Sequence, residues 1–175
     1  MAWVRGLLTV ALVVTAVLLE ITVLPWLHLP GAVPDIVAVT VAALGYAAGP
    51  VRGAAAGFLA GLLLDLVPPA DGLLGLTAVV LVVVGYLAGV AGGIQDRPAV
   101  LVVLLVGALS GLAVLLLALV GGVVTDPRVS WDRVPGLVLT QIFYAIVLAA
   151  FVVPLVGWLW RLVDPPAPRY DVVRQ

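Results

Sequence analysis

The 175-residue chain is 65% hydrophobic and 10% charged, with a mean hydropathy of +1.33 and a formal net charge of −1. This composition excludes a soluble globular protein, because long uncharged apolar runs are typical of membrane spans. The small net charge gives no reason to expect nucleic acid as a partner. The chain has no cysteine, which excludes disulfides and thiolate metal sites.

Six apolar segments predict an all-α integral membrane protein in which residues 1–163 form a single six-helix transmembrane domain. The predicted spans are residues 3–24, 34–49, 51–67, 72–92, 98–124 and 134–163. The second and third are only about 24–26 Å long at 1.5 Å per residue, against a hydrocarbon core of about 30 Å. We therefore expect these two helices to be buried within the bundle. The proline-rich residues 164–175 are predicted to form a flexible cytoplasmic tail.

The first span is expected to be retained, because no small-residue cleavage site of a signal peptide follows it. It has almost no stripe of small residues along one face, only Ala11 and Thr15, so we expect it at the periphery of the bundle or against a partner. Tryptophans near the span ends are predicted anchors at the membrane interface. They are Trp26, Trp131, Trp158 and Trp160.

Small residues recur at helical spacing in the second and third spans, and a carboxylate extends each series. Such spacing lets two helix backbones approach closely in lipid. Because the turn between the spans is short, we predict a backbone-close antiparallel pair, with Asp35 and Asp65 at one end and Arg52 at the other. The predicted packing residues are Ala38, Ala42, Gly45, Gly49, Gly53, Gly57 and Gly61.

The fourth span repeats glycine in the same way, at Gly85, Gly89 and Gly93, and we include these among the predicted helix-packing residues. The fifth carries Gly107 and Gly111. Two interpretations remain for these repeats, packing within one chain and association of two copies.

The arginines divide unequally between the two faces of the predicted bundle, and the face with more of them is expected to be cytoplasmic. Both termini are then cytoplasmic. The cytoplasmic set is Arg5, Arg52, Arg97, Arg161, Arg169 and Arg174, and the outer set is Arg128 and Arg133.

The acidic residues map to the outer end of the bundle, where side chains at a span end can reach water. Asp35 is placed at a helix start, where free N–H groups favour a carboxylate. Asp65 is placed near a helix C-terminus, which opposes negative charge. We therefore expect a donor for Asp65, either Arg128 or Arg133 or another protein. The predicted structural or partner-binding polar residues are Glu20, Asp35, Asp65 and Arg52, and Asp71 maps to the same end.

Residues that could carry chemistry are few. His28 is the only histidine, and Ser110 and Ser130 are the only serines, so a catalytic triad has little support. The sequence shows no phosphate-binding loop and no metal-ligand cluster, and we expect no enzymatic activity, metal or cofactor. The strongest polar group well inside a late span is Gln141. The lack of a mid-span ionisable group argues against proton-driven transport.

Four motifs follow one another in residues 34–93. They are Pro34-Asp35-Ile, Gly53-Ala-Ala-Ala-Gly57-Phe58-Leu-Ala-Gly61-Leu-Leu-Leu-Asp65, Asp71-Gly-Leu-Leu-Gly75-Leu-Thr77-Ala and Gly85-Tyr86-Leu-Ala-Gly89. In this order they resemble the MreD family, the rod-shape-determining membrane proteins of bacteria. Thr77 stands where serine is more usual, and the last two spans are generic.

The resemblance implies a non-enzymatic, multi-pass scaffold of the cell-elongation complex in the bacterial cytoplasmic (inner) membrane. Its expected partners are MreC foremost, and RodA, a class B penicillin-binding protein and MreB in the wider complex, together with membrane lipid. Such a subunit would help to couple the MreB cytoskeleton to peptidoglycan synthesis. The family also resembles in fold the S components of energy-coupling-factor transporters. We expect the single span of MreC to pack against the first span.

A vitamin-binding S component is the main alternative, and a small permease is another. An S component would need convergent polar or aromatic side chains in an outward-facing pocket. The residues available for such a pocket are Thr77, Trp131, Gln141 and Tyr144.

Overall fold

The computed structural model describes residues 2–23, 26, 34–67, 75–93, 98–123 and 131–164. Within these residues the chain forms six α-helices, and no strand occurs among them. The helices are α1 (Ala2–Thr22), α2 (Ile36–Ala48), α3 (Pro50–Leu66), α4 (Leu76–Gly92), α5 (Ala99–Val123) and α6 (Val134–Val163). The all-α prediction is confirmed, and the helix bounds lie close to those of the predicted spans.

Local sequence explains where the central helices begin and end. Asp35 is the N-cap residue of α2. Gly49 alone separates α2 from α3, with a φ of 95° that L side chains rarely adopt. Pro50 then starts α3 at a position where a missing N–H costs nothing. Gly75, whose φ is 91°, precedes α4.

Helix α2 lies at the centre of the bundle and contacts each of the other helices. Its residues are buried without interruption from Val37 to Gly45. One apolar cluster joins it to α1, α3, α6 and Leu81 of α4, and a second joins it to α4, α5 and α6. The expectation that this short helix is buried is confirmed.

Helix α3 departs from that expectation, because only one of its faces is buried. Gly53, Gly57 and Gly61 lie on the buried face, whereas Phe58 is 56% exposed and Leu66 is 62% exposed. The small side of α3 packs inward and its large apolar side chains point away from the bundle.

Helix α1 lies at the periphery, as its lack of a small-residue stripe predicted. It contacts α2 and α3, and α6 to a smaller extent. Its buried residues are Val13, Ala16 and Val17, and large apolar side chains such as Trp3, Leu7 and Leu18 are exposed.

Three helices within the described residues are long and apolar enough to cross a membrane. They are α1 over Trp3–Thr22, α5 over Ala99–Gly122 and α6, whereas α2 and α4 are apolar but shorter. Such helices indicate a membrane protein. Apolar side chains on the outside of the bundle are then the expected surface toward lipid.

Candidate functional site

Helices α3 and α4 pack with their backbones in contact along their length. A Cβ added at Gly57 would overlap the carbonyl oxygen of Leu81, and one at Gly61 would overlap the backbone of Ala78. A Cβ at Gly89 would overlap the backbone of Pro50. From one contact to the next, the residue number increases along α3 and decreases along α4. The two helices are therefore antiparallel.

A second close approach brings three helices together near one end of the bundle. A Cβ at Gly45 of α2 or at Gly53 of α3 would overlap the carbonyl oxygen of Gly85, and a Cβ at Gly53 would lie 2.6 Å from the Gly45 Cα. The backbone-close approach of α2 and α3 is therefore confirmed at Gly45 and Gly53. The expectation that α2 is the main partner of the α3 glycine series is wrong, because that series faces α4 over most of its length.

The remaining small residues of α2 do not form one face toward α3. Ala38 belongs to the apolar cluster with α1, α3 and α6, whereas Ala42 belongs to the cluster with α4, α5 and α6. Gly49 makes the turn, and a Cβ there would meet no neighbour. The small residues predicted to share one face of α2 therefore lie on two sides of this buried helix.

The glycine series of α4 ends one residue earlier than predicted. A Cβ at Gly93 would contact only the Val90 carbonyl oxygen of its own helix end, whereas one at Gly92 would overlap the Tyr46 carbonyl oxygen. Gly93 is therefore not a helix-packing residue, and Gly92 was missed. Gly92 lies seven residues after Gly85, which is nearly two helical turns at 3.6 residues per turn. Gly85, Gly89 and Gly92, spaced by four and then three residues, therefore lie on one face of α4.

Glycines of α5 pack within the same chain. Cβ atoms at Gly107 and Gly111 would meet the side chains of Ile146 and Ile142 on α6. Packing inside one chain therefore accounts for this repeat.

The acidic end of the bundle, defined by Glu20, Asp35 and Asp65, is built from contacts to backbone N–H groups. The N–H of Val37 donates to Glu20 Oε2 at 2.9 Å, and the N–H of Ala38 donates to Asp35 Oδ1 at 2.5 Å. The carboxyl groups of Glu20 and Asp35 also form a hydrogen bond with each other. Two helices thus supply the acceptors for the free N–H groups at the start of α2.

Asp65 has a donor that the sequence did not suggest, a backbone N–H. The N–H of Gly75 donates to Asp65 Oδ2 at 2.8 Å, which ties the end of α3 to the start of α4. Arg128 and Asp71 lie outside the described residues, and no bond from Arg133 to Asp65 is found among the described contacts. Arg133 is therefore not a donor to Asp65 among the described contacts, and the expectation of Arg128 or another protein stays a prediction.

Removing the Asp65 carboxylate should weaken the start of α4. Asp65→Ala leaves the Gly75 N–H without its acceptor and is expected to lower the free energy of unfolding by about 1 kcal/mol. Asp65→Asn keeps a carbonyl oxygen and should remain closer to the wild type. Thermal unfolding of both variants in the same detergent measures the difference, and equal stability of Asp65→Ala and the wild type would contradict this role.

The opposite end of the bundle, the arginine end, is defined by Arg5, Arg52 and Arg161. Arg5 Nη2 donates to Asp164 Oδ1 at 2.6 Å, which joins the start of α1 to the end of α6. The guanidinium of Arg52 lies over the Trp160 ring, 5.6 Å from its centroid. The predicted placement of Arg52 opposite Asp35 and Asp65 is confirmed.

Two residues at this end differ from expectation. Trp160 is only 5% exposed and belongs to the apolar core, so it is not an exposed interface anchor. Asp164, predicted as the first residue of the tail, is the C-cap of α6 and pairs with Arg5. The rest of the tail and Arg97, Arg169 and Arg174 lie outside the described residues.

Two cavities lie at the arginine end. The larger, about 490 Å³, lies between α2, α5 and α6 and is lined by Tyr46, Val102, Ala150, Pro154, Trp160 and Arg161 among others. The smaller, about 340 Å³, lies between α1 and α3 and is lined by both Arg5 and Arg52.

The residues considered for an outward-facing vitamin pocket do not line either cavity. Gln141 is buried and Trp131 is exposed, with its ring against the Gly122 position. Tyr144 packs edge-on against Phe143. Within the described part of the chain, no group of three or more His, Cys, Asp or Glu side chains could hold a metal ion. His28 and Ser130 lie outside it.

Comparison of the chain with protein-family models, with curated proteins and with solved structures gave no match.

Proposed function

We propose that this chain is a non-enzymatic membrane scaffold of the MreD type, which holds an MreC-like single-span protein in the cell-elongation complex of a bacterial cytoplasmic membrane. Both termini are cytoplasmic in this proposal, and all six helices lie within the membrane. The wider complex would couple the MreB cytoskeleton to peptidoglycan synthesis by RodA and a class B penicillin-binding protein.

The observation that carries the proposal is that the residues quoted for the MreD resemblance work together in one structural unit. Gly53, Gly57 and Gly61 hold α3 against α4. Asp35 accepts a hydrogen bond from a backbone N–H at the start of α2, and Asp65 accepts one from a backbone N–H at the start of α4. This unit is closed by backbone packing, and in this proposal its task is to present fixed outer helix faces to neighbouring proteins.

The peripheral helix α1 is the proposed contact surface for the span of MreC. Its outward face carries Leu7, Val14 and Leu18, which are 62%, 37% and 52% exposed. Lipid could cover the same face, so the assignment needs a test that distinguishes α1 from another exposed helix. Helix α6 offers the matched comparison, with Phe143 and Phe151 exposed along its length.

Co-expression with an MreC-like protein tests the scaffold. We expect the two proteins to co-purify, and a photo-crosslinking residue at Val14 to give the heterodimer, whereas one at Phe151 gives little. Crosslinks confined to α5 and α6 would contradict the α1 assignment while leaving the scaffold intact. Failure of a well-folded chain to co-purify with its MreC-like protein, or turnover of a substrate by the purified chain, would contradict the scaffold itself.

A further inference from the structure

The smaller cavity at the arginine end has the features of a binding site for the phosphate of a membrane lipid. It lies between α1 and α3 and is lined by Arg5, Thr9 and Val10 on one side and by Arg52, Ala55 and Leu59 on the other. We propose that this cavity binds an anionic glycerophospholipid, with its phosphate between Arg5 and Arg52 and its acyl chains along α1 and α3.

The two guanidinium groups retain N–H donors for such a ligand. Arg5 Nη2 donates to Asp164, and no hydrogen bond from Arg5 Nη1 occurs among the described residues. Arg5 Nε is also without a partner there, but it is too deeply buried for a ligand to reach. Arg52 donates from Nη1 to the Ala48 carbonyl oxygen at a long 3.3 Å. Each guanidinium carries five N–H donors. A phosphate would accept charge-assisted hydrogen bonds from the remaining donors.

The charges of the cavity favour an anion. Arg5 and Arg52 both line it. In the described part of the chain, the one acidic side chain that pairs with these arginines is Asp164, which contacts Arg5. The Arg52 guanidinium also lies over the Trp160 ring, 5.6 Å from its centroid, a cation–π contact that favours this position. The contacts of Arg5 with Asp164 and of Arg52 with Trp160 reduce the ordering cost of a ligand contact.

The arrangement of polar and apolar residues favours a lipid over a soluble anion. Both α1 and α3 start at the arginine end, so Val10 and Leu59 lie about 7–10 Å further along their helices than Arg5 and Arg52 at 1.5 Å per residue. Val10 and Ala55 are exposed on the outside of the bundle, where acyl chains would lie. A headgroup at the arginines thus leads directly onto an apolar surface.

Native mass spectrometry of the full-length protein with defined lipids tests the site. We expect phosphatidylglycerol to be retained in preference to phosphatidylcholine. Arg52→Gln should weaken phosphatidylglycerol binding about tenfold, since each charge-assisted contact is strong. Arg161→Gln is the matched control, because Arg161 is at the same end and lines the other cavity; its binding should stay close to that of the wild type.

Several results would overturn the proposal. Equal weakening by Arg52→Gln and Arg161→Gln would indicate general attraction between the membrane surface and this end. Equal retention of the two lipids, or displacement of phosphatidylglycerol by inorganic phosphate at the same concentration, would exclude a lipid-specific site. If Arg52→Gln does not fold, Ala55→Trp decides: Ala55 is exposed and lines the cavity, so the indole should fill it while both arginines remain. Unchanged phosphatidylglycerol binding by this variant would count against the site. None of these outcomes depends on MreC binding, so this test is independent of the scaffold proposal.

Discussion

Gly57→Ala is expected to lower the free energy of unfolding by about 1–3 kcal/mol, the range for overpacking a well-packed interior. The added Cβ would overlap the carbonyl oxygen of Leu81. Because that neighbour is backbone within a helix, it cannot rotate away as a side chain could, and α3 and α4 must separate. Unfolding in mixed micelles of a mild detergent and sodium dodecyl sulfate measures the change.

Gly136→Ala is the matched control for this substitution. Gly136 lies in the first turn of α6 and an added Cβ there would meet nothing within 4 Å. Alanine in an open helical position is favoured over glycine by about 0.5–1 kcal/mol, so this variant should be as stable as the wild type or more stable. If both variants unfold at the same denaturant concentration, the close packing of α3 and α4 is not what stabilises the bundle.

Glu20→Ala should have the second large effect, because it removes an acceptor from the start of α2 and a hydrogen-bond partner from Asp35. A buried backbone N–H without an acceptor costs about 1–3 kcal/mol, and Val37 is buried. The loss would also detach the C-terminal end of α1 from α2. We expect a lower unfolding temperature and earlier proteolysis of α1.

Glu20→Gln separates the hydrogen bonds from the charge. A hydrogen bond between two carboxyl groups requires a proton on one of them, so a glutamine amide can supply both a donor to Asp35 and an acceptor for Val37. This variant should therefore remain close to the wild type in the same assays. A loss as large as that of Glu20→Ala would show that the negative charge, rather than the hydrogen bonding, is needed.

The helices and the sidedness of the bundle could be predicted, because both depend on signals that lie close together in the sequence. Apolar length indicated the helix positions, and a short turn after residue 49 was enough to place Asp35 and Asp65 at the same end of the bundle. The turn also placed Arg52 at the opposite end, where it lies over Trp160.

Which helix packs against the glycine series, and which group donates to Asp65, could not be predicted in the same way. A series of glycines shows that a helix backbone is accessible, but not which helix will approach it, and Gly57 meets Leu81, which is not a small residue. The donor to Asp65 is the N–H of Gly75. A backbone N–H is present at almost every position, so the sequence contains no mark that distinguishes this one.

The attachments of α1 differ between its two ends, and this has a mechanical consequence. At its C-terminal end, Glu20 is bonded to the N–H of Val37 and to Asp35. At its N-terminal end, Arg5 and Asp164 form an ion pair whose side chains are 27% and 30% exposed, and such pairs contribute about 0–1 kcal/mol and weaken in salt. Rising ionic strength should therefore loosen the Arg5 end before the Glu20 end, while the packing of Leu8 and Leu12 against the core keeps α1 on the bundle.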